Sequence, residues 1–188
     1  MNRMSAFLLL ALLAPAPAAA EIIGANPSRA VTEAEMRASL KEIALADESG
    51  APFDLRAAMA NGKPTLVSLW AHWCPNCIAE IAGFKAIAAT CPQRWNLVFV
   101  SARPGDYAKD LAKFSRYRLP WPIHRVGDAA KSSPAQAKAA RAFYGTTADG
   151  GVSTPLHYLL SSSGVVNAIV NGRLNFDEPA RLAAFCAL

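Results

Sequence analysis

Two cysteines separated by two residues stand directly after an apolar run, and this arrangement limits the fold more than any other feature of the sequence. Cys74 and Cys77 follow residues 65–71, whose β-branched and aromatic side chains predict a buried strand. Residues 75–90 have helical spacing, and Pro75 fits the first helical turn. A buried strand, a Cys-x-x-Cys pair and a helix, in this order, are the arrangement that a dithiol redox site requires.

The two cysteines are expected to have different roles. Cys74 opens the predicted helix, where free N–H groups and the positive end of the helix dipole stabilise a thiolate. Cys74 is therefore the predicted nucleophile. Cys77 lies one turn further into the helix and is expected to be shielded, which suits it to resolve a mixed disulfide that Cys74 has formed.

Three other interpretations of the same pair compete with the dithiol redox site. Half of a zinc site is disfavoured because the sequence has no second Cys-x-x-Cys or His pair to complete the ligand set. A purely structural local disulfide is disfavoured because so short a loop gains little from closure. A copper site formed by both thiolates and a nearby His stays open as an alternative. The favoured interpretation needs no metal and no cofactor.

The first twenty residues are typical of a cleaved signal peptide. Arg3 precedes an apolar run at 7–13, and small residues with two prolines follow at 14–20. We predict cleavage after Ala20, a single domain over residues 21–188, and a periplasmic location, which is oxidising. An uncleaved membrane anchor is less favoured, because a span needs about 20 apolar residues. The segment from Met4 to Ala20 has only 17 residues and contains two prolines.

The charge balance argues against a nucleic-acid partner. The chain of 188 residues carries 19 Lys and Arg against 14 Asp and Glu, a formal charge of +5, and it has no run of consecutive basic residues. We expect a monomer that acts on proteins and not on nucleic acid.

The rest of the chain alternates helical and strand patterns. Thr32 and Glu35 have the spacing of a capping box before a short helix, and residues 43–46 and 52–55 predict a hairpin around a turn-rich segment. Further strands are predicted at 95–101, 123–126, 156–160 and 165–170, and further helices at 107–117, 134–143 and 177–187. This order predicts an α/β fold with a mixed central sheet flanked by helices and an N-terminal hairpin.

Two more cysteines lie outside the central motif. An even number of cysteines in an exported chain favours pairing, so Cys91 is expected to form a structural disulfide with Cys186. Free buried thiols and a second redox pair are the alternatives.

Three segments resemble the thioredoxin superfamily, and in particular its exported TlpA/ResA-type branch, which includes the cytochrome c maturation reductases. These segments are LVSLWAHWCPNCIAE at 66–80, VFVS at 98–101 and GVSTPLHYLL at 151–160. The resemblance covers most of the chain from about residue 45 onward. It implies a thioredoxin-like fold and thiol-disulfide oxidoreductase activity.

The resemblance also implies a substrate-binding surface. Pro155 would form a cis peptide bond facing the dithiol, and Thr154 would offer backbone groups to an extended substrate. Trp73, Pro75 and Asn76 would complete this surface beside the nucleophile. Because Asn76 is neutral, we expect a reduction potential between about −270 and −120 mV.

The chain departs from the thioredoxin pattern where protons are handled. Thioredoxin has a buried Asp six residues before its first cysteine, whereas this chain has Ser68, which is not a base at neutral pH. Water or another carboxylate must then accept the Cys77 proton. Glu80 is a candidate, although its position favours an ordinary surface helix residue. His72 and His157 could border the dithiol, but each is interpreted as a strand-end residue. Since residues 81–83 lack the proline of many relatives, the helix is expected to be straighter.

The favoured function is reduction of disulfides in dedicated cell-envelope partners. About 35 residues between Ser101 and Pro134 leave no room for the helical insertion that caps the substrate site of broad oxidants. By resemblance, the partners belong to cytochrome c maturation or copper-site assembly, and a membrane thiol donor supplies the electrons. The alternatives are an oxidant of exported proteins and a Cu(I)-handling module.

Overall fold

Seven strands form one sheet in the order β2-β1-β5-β4-β3-β6-β7. The computed structural model describes residues 30–128 and 133–188, so the expected signal peptide lies outside the described residues. The strands are β1 (Leu45–Ala46), β2 (Pro52–Phe53), β3 (Thr65–Trp70), β4 (Asn96–Ser101), β5 (Ile123–Val126), β6 (Leu156–Leu160) and β7 (Val166–Asn171). The helices are α1 (Glu33–Ser39), α2 (Leu55–Met59), α3 (Pro75–Ala79), α4 (Ile81–Thr90), α5 (Tyr107–Phe114), α6 (Pro134–Phe143) and α7 (Pro179–Ala187).

The centre of the sheet is parallel and both of its sides are antiparallel. β3 pairs with β4, and β4 with β5, in parallel, because a helical crossover joins each pair. β6 pairs with both β3 and β7 in antiparallel fashion. The pairing with β7 is antiparallel because a tight turn joins the two strands. The predicted mixed sheet flanked by helices is confirmed.

The N-terminal hairpin is confirmed, but it is shorter than predicted. β1 and β2 pair over two residues each, and β1 joins the edge of the main sheet beside β5. The predicted second strand ends early because Asp54 caps a helix that the sequence patterns did not reveal. The Asp54 side chain accepts a hydrogen bond from the Ala57 amide at 2.9 Å, and α2 starts at Leu55.

The expectation of a straighter helix after the dithiol is wrong. The segment divides at Glu80 into α3 and α4. In a continuous α-helix the carbonyl of Cys77 would accept from the amide of Ile81. Here that carbonyl accepts a hydrogen bond from the buried indole of Trp70 at 3.0 Å. The hydrogen bond from Trp70 of β3 to the Cys77 carbonyl therefore lies at the point where the helix divides.

The two faces of the sheet are covered by different helices. Along β3, Ser68 and Trp70 point to the face that carries α3 and α4, and His157 of β6 lies opposite Ser68 on the same face. Tyr158 points to the other face, where its ring stacks on Phe143 of α6 with centroids 5.7 Å apart. The dithiol helix therefore packs on a sheet face that contains buried polar side chains.

Gly83 allows α4 to approach the segment before α7 closely. A Cβ atom at this position would lie 2.7 Å from the Cβ of Phe176, which is buried. We expect Gly83→Ala to lower the free energy of unfolding by about 1–3 kcal/mol, because neither backbone can move away without cost. Urea denaturation measures the change. At an unhindered helical position the same substitution stabilises a protein by about 0.5–1 kcal/mol, so a stabilised variant would contradict this close approach.

Candidate active site

Cys74 and Cys77 lie where β3 gives way to α3, at the carboxyl end of the central strand. A turn over residues 71–74 is closed by a hydrogen bond of 3.2 Å from the Cys74 amide to the Ala71 carbonyl. Cys74 is the N-cap of α3, and Pro75 follows at the start of the helix, where a missing N–H costs nothing. The two sulfur atoms are bonded as a disulfide, with the Cα atoms 5.3 Å apart.

The surroundings of the two sulfurs differ in exposure. Cys74 is 3% exposed and Cys77 is fully buried, so both cysteines are covered in the disulfide form and the small exposed fraction belongs to Cys74. The backbone amide of Cys77 donates a hydrogen bond to Cys74 Sγ at 3.2 Å. An N–H donor of this kind stabilises negative charge on a sulfur.

Thr154 and Pro155 face the dithiol from the segment directly before β6. The peptide bond between them is cis. Thr154 Oγ1 lies 3.2 Å from Cys77 Sγ and donates a hydrogen bond to the Leu69 carbonyl at 3.2 Å. The structure thus brings together the two segments that the resemblance singled out, although 77 residues separate Cys77 from Thr154.

Trp73, Pro75 and Asn76 form an exposed rim around the disulfide. Trp73 is 40% exposed, whereas Trp70 is fully buried in the core. The Trp73 indole donates to Asp106 Oδ2 at 3.2 Å, and the guanidinium of Arg103 stacks 4.7 Å from the ring centroid. These contacts hold an aromatic surface beside the nucleophile.

The structure contains a cleft of about 800 Å³. Arg103, which stacks on Trp73, lies at one side of the cleft, and Val152, two residues before Thr154, also lines it.

The interpretation of Glu80 as a surface residue is wrong. Glu80 is 1% exposed, and its Oε1 lies 3.0 Å from His157 Nε2 and accepts a hydrogen bond of 2.5 Å from the Leu174 amide. His157 is fully buried within β6, so it is not a strand-end residue either. A helical spacing of three residues places Glu80 on the same side as Cys77, and this signal could have located it from the sequence.

Ser68 completes a buried polar group beneath the dithiol helix. It is 1% exposed and lies opposite His157 in the antiparallel pairing of β3 with β6. Among residues 30–128 and 133–188, no hydrogen-bond partner is present for Ser68 Oγ, Glu80 Oε2 or His157 Nδ1. Ser68 is therefore accompanied by a buried carboxylate, Glu80, which lies at the boundary between α3 and α4.

His72 belongs to a second polar cluster, which sequence reasoning missed. Its ring Nδ1 and its backbone amide both lie 2.7 Å from Oδ1 of Asp110 in α5. Asp110 is fully buried, and Ser101 donates to its other oxygen at 2.6 Å. The only local signal was that Asp110 stands four residues before the inward-facing Phe114, on the same side of the helix.

Cys91 and Cys186 are bonded to each other at a distance from the dithiol. The bond joins the end of α4 to α7, with Cα atoms 5.8 Å apart. Next to it, Trp95 stacks on Phe185 at 4.0 Å between ring centroids and donates to the Phe185 carbonyl at 2.8 Å. The length of α4 separates this bond from Cys77, an arrangement that suits a structural crosslink better than a second redox pair.

Within the described residues, no group of three or more His, Cys, Asp or Glu side chains is placed to hold a metal ion. None of the helices described there combines the length and the apolar character needed to cross a membrane.

Sequence comparisons find a limited set of relatives. No protein-family model matches the sequence. The chain is 30% identical over 93 residues to the soluble secreted antigen MPT53 of Mycobacterium tuberculosis and of Mycobacterium bovis, covering 39% of this chain and 50% of that protein. An uncharacterised protein of Haemophilus influenzae is 29% identical over 76 residues and is covered to 47%. The chain thus spans about half the length of the curated relatives that it matches.

Solved structures with the same fold cover more of the chain. A secreted Mycobacterium tuberculosis disulfide oxidoreductase homologous to E. coli DsbE matches 81% of this chain and 99% of its own, with a TM-score of 0.51 and 23% identity. A thioredoxin-family thiol:disulfide interchange protein from Chlorobium tepidum matches 76% and 91%, with a TM-score of 0.52 and 20% identity. The chain therefore has a thioredoxin-like fold, with a Cys-x-x-Cys pair at the end of its central strand.

Proposed function

We propose that the protein is an exported thiol-disulfide oxidoreductase that reduces disulfides of dedicated cell-envelope partners through Cys74 and Cys77. The observation that carries the proposal is the disulfide-bonded pair at the start of α3, facing Thr154 and Pro155. A secreted disulfide oxidoreductase of Mycobacterium tuberculosis has this fold. The proposed location is the periplasm, after cleavage of a signal peptide at Ala20.

The reaction balances as two successive thiol-disulfide exchanges. The Cys74 thiolate attacks one sulfur of the partner disulfide, a Cys74–partner bond forms, and the other partner sulfur leaves as a thiolate that takes up a proton. Cys77 loses its proton and attacks Cys74, which releases the second partner thiolate. The partner gains two electrons and two protons, and the protein is left with the Cys74–Cys77 disulfide.

Glu80 is the proposed acceptor of the Cys77 proton. It is buried one helical turn from Cys77, where thioredoxin's strand Asp has no counterpart because Ser68 stands in its place. A buried carboxylate can take a proton from a thiol when the two groups are within hydrogen-bond reach or are bridged by one water molecule. The unpartnered Oε2 of Glu80 leaves one oxygen available for that role.

The proposed direction is reduction. Between Ser101 and Pro134 the described residues hold α5, β5 and two short 3₁₀ turns, and no helical domain that would cap the site. Partners of the cytochrome c maturation or copper-site assembly type, and a membrane thiol donor that restores the dithiol, complete the proposal. Trp73, Pro75, Asn76, Thr154 and Pro155 would contact the partner.

The equilibrium reduction potential of Cys74–Cys77 tests the direction. We expect a reduction potential of about −250 mV from titration of the purified mature protein against glutathione, with Cys91 and Cys186 followed separately. A reduction potential of about −130 mV would identify an oxidant and overturn the proposed direction. Stoichiometric Cu(I) uptake that is lost in Cys74→Ser, without turnover of disulfides, would instead support a copper-handling module.

A further inference from the structure

The cleft that contains Arg103 and Val152 is lined by residues of α6, by the end of β5 and by the segments that follow β4 and α6. Its volume of about 800 Å³ lies in the range of clefts that bind small ligands. Ala102, Val126 and Val152 provide apolar walls, and Arg103 and Arg141 add two exposed guanidinium groups. The cleft therefore combines apolar surface with positive charge.

Both guanidinium groups are available to a ligand. Within residues 30–128 and 133–188, neither Arg103 nor Arg141 forms an ion pair. Arg173 and Arg181, by contrast, pair with carboxylates of their own segments. Arg103 stacks on the ring of Trp73, a contact that uses the face of the guanidinium and leaves its N–H groups at the edge.

The negative charge in the cleft is held by its own loop. Asp149 Oδ1 accepts hydrogen bonds from Thr147 Oγ1 at 2.5 Å and from the Gly151 amide at 3.3 Å. These hydrogen bonds keep the pKa of Asp149 below its usual range. Burial raises the pKa of Tyr144, which also lines the cleft, so its phenol stays neutral. The lining residues therefore carry two positive charges and one negative charge.

Two residues that line the cleft are close to the dithiol site. Arg103 lies 4.7 Å from the ring centroid of Trp73, in the rim around the disulfide. Val152 is two residues before Thr154, so their Cα atoms are at most about 7 Å apart. Thr154 Oγ1 in turn lies 3.2 Å from Cys77 Sγ. Because an extended chain advances about 3.3 Å per residue, a few residues of a partner are enough to join the two places.

A carboxylate side chain on a polypeptide is the ligand that matches these features. The fork of N–H donors on a guanidinium fits the two oxygens of a carboxylate. The apolar walls suit the carbon atoms of the same segment, whereas the carboxylate of Asp149 repels the closely spaced phosphates of a nucleic acid. Between Arg103 and Arg141 the sequence has nine basic and three acidic residues, which attract an acidic partner over a longer distance.

We propose that this cleft binds an acidic side chain of the partner protein, on the segment that flanks the partner's disulfide. Arg103 and Arg141 bind the carboxylate, and binding holds the disulfide beside Cys74. The inference rests on the proposed function, because it names the partners that the same dithiol selects: proteins with Asp or Glu near the reactive disulfide.

The test uses three peptides with the same internal disulfide, flanked on both sides by Glu, Gln or Lys. Each peptide is mixed with reduced protein, the reaction is stopped with acid, and the reduced peptide is quantified by mass spectrometry. The rate constants are divided by those for dithiothreitol, which removes the intrinsic reactivity of each peptide. We expect the corrected rate for the Glu peptide to exceed that for the Gln peptide about fivefold, the effect of two exposed ion pairs. The ratio should fall toward one in about 0.5 M NaCl.

Arg141→Gln should lower the ratio of the Glu to the Gln peptide to about two, since one guanidinium is lost. The double variant Arg103→Gln, Arg141→Gln should bring it to about one. The matched control is Arg116→Gln, which makes the same change at an exposed arginine outside the cleft and should keep the parent ratio. A ratio near one in the parent, an unchanged ratio in Arg141→Gln, or a preference for the Lys peptide would overturn the inference.

A small anion is the competing occupant of the cleft. The peptide measurements are therefore repeated in sodium phosphate and in sodium chloride of equal ionic strength. The ratio should be the same in both salts, because a dissolved salt screens the ion pairs through its ionic strength. Loss of the preference in phosphate alone would identify a site for free phosphate and overturn the assignment to an acidic peptide.

A binding measurement separates this inference from the proposed function. The oxidised protein, isotope-labelled for NMR, is titrated with peptides in which serine replaces both cysteines, so that no exchange occurs. The Glu peptide should bind about fivefold more tightly than the Gln peptide and shift the amide resonances of residues that line the cleft. This preference without turnover of any disulfide would contradict only the proposed function. Turnover of all three peptides, with no preference in either measurement, would contradict only the inference.

Discussion

Cys77→Ala should accumulate a covalent mixed disulfide between Cys74 and its cell-envelope partner. Cys74 can still attack a partner disulfide, but the bond that forms cannot be resolved, because the thiol that would attack it has been removed. The measurement is non-reducing electrophoresis of cell-envelope extracts followed by mass spectrometry of the species that disappears on reduction. We expect most of the variant to be trapped and turnover of a model disulfide to fall to the uncatalysed rate.

Cys74→Ser is the matched control for this trap. Serine is nearly isosteric with cysteine, but it does not provide a thiolate nucleophile near neutral pH. It should therefore abolish turnover as completely as Cys77→Ala while forming no mixed disulfide. Equal trapping by both variants would contradict the assignment of Cys74 as nucleophile. No trapping by either variant would favour a docking protein with an idle dithiol.

Removal of the Cys91–Cys186 bond should have the largest effect on stability. In the chain-entropy model, a crosslink between residues 95 apart stabilises the folded protein by about 4–5 kcal/mol. We expect the double variant Cys91→Ala, Cys186→Ala to lose about this much free energy of unfolding, measured by urea denaturation under oxidising conditions. The stacked Trp95 and Phe185 keep their packing, so the loss should come mainly from the unfolded chain.

The double variant Cys74→Ser, Cys77→Ser provides the comparison. Its bond closes a loop with a sequence separation of only 3, for which the same model gives about 2 kcal/mol. A change below about 1 kcal/mol in the Cys91 and Cys186 variant would contradict a structural role. Loss of disulfide turnover in that variant, with stability retained, would point instead to a second redox pair.

The sequence by itself determined where the cysteine pair lies, between a strand and a helix, and that the sheet is mixed. The strand before the pair and the Cys-x-x-Cys spacing follow from local patterns, whereas the order of the strands came from the tertiary structure. These signals are strong because a buried strand and a helix start restrict the residues that occupy them. The positions of Thr154 and Pro155 followed from resemblance, and their place against Cys77 required the pairing of β3 with β6.

Only the tertiary structure decided which polar side chains share an environment. Glu80 meets His157, and His72 meets Asp110, across elements whose contact depends on strand register and on where α5 packs. A carboxylate on a helix has the same local pattern whether it faces water or a buried histidine. The difference arises from the long-range pairing that removes it from water, since a buried charge persists only where a partner is in contact.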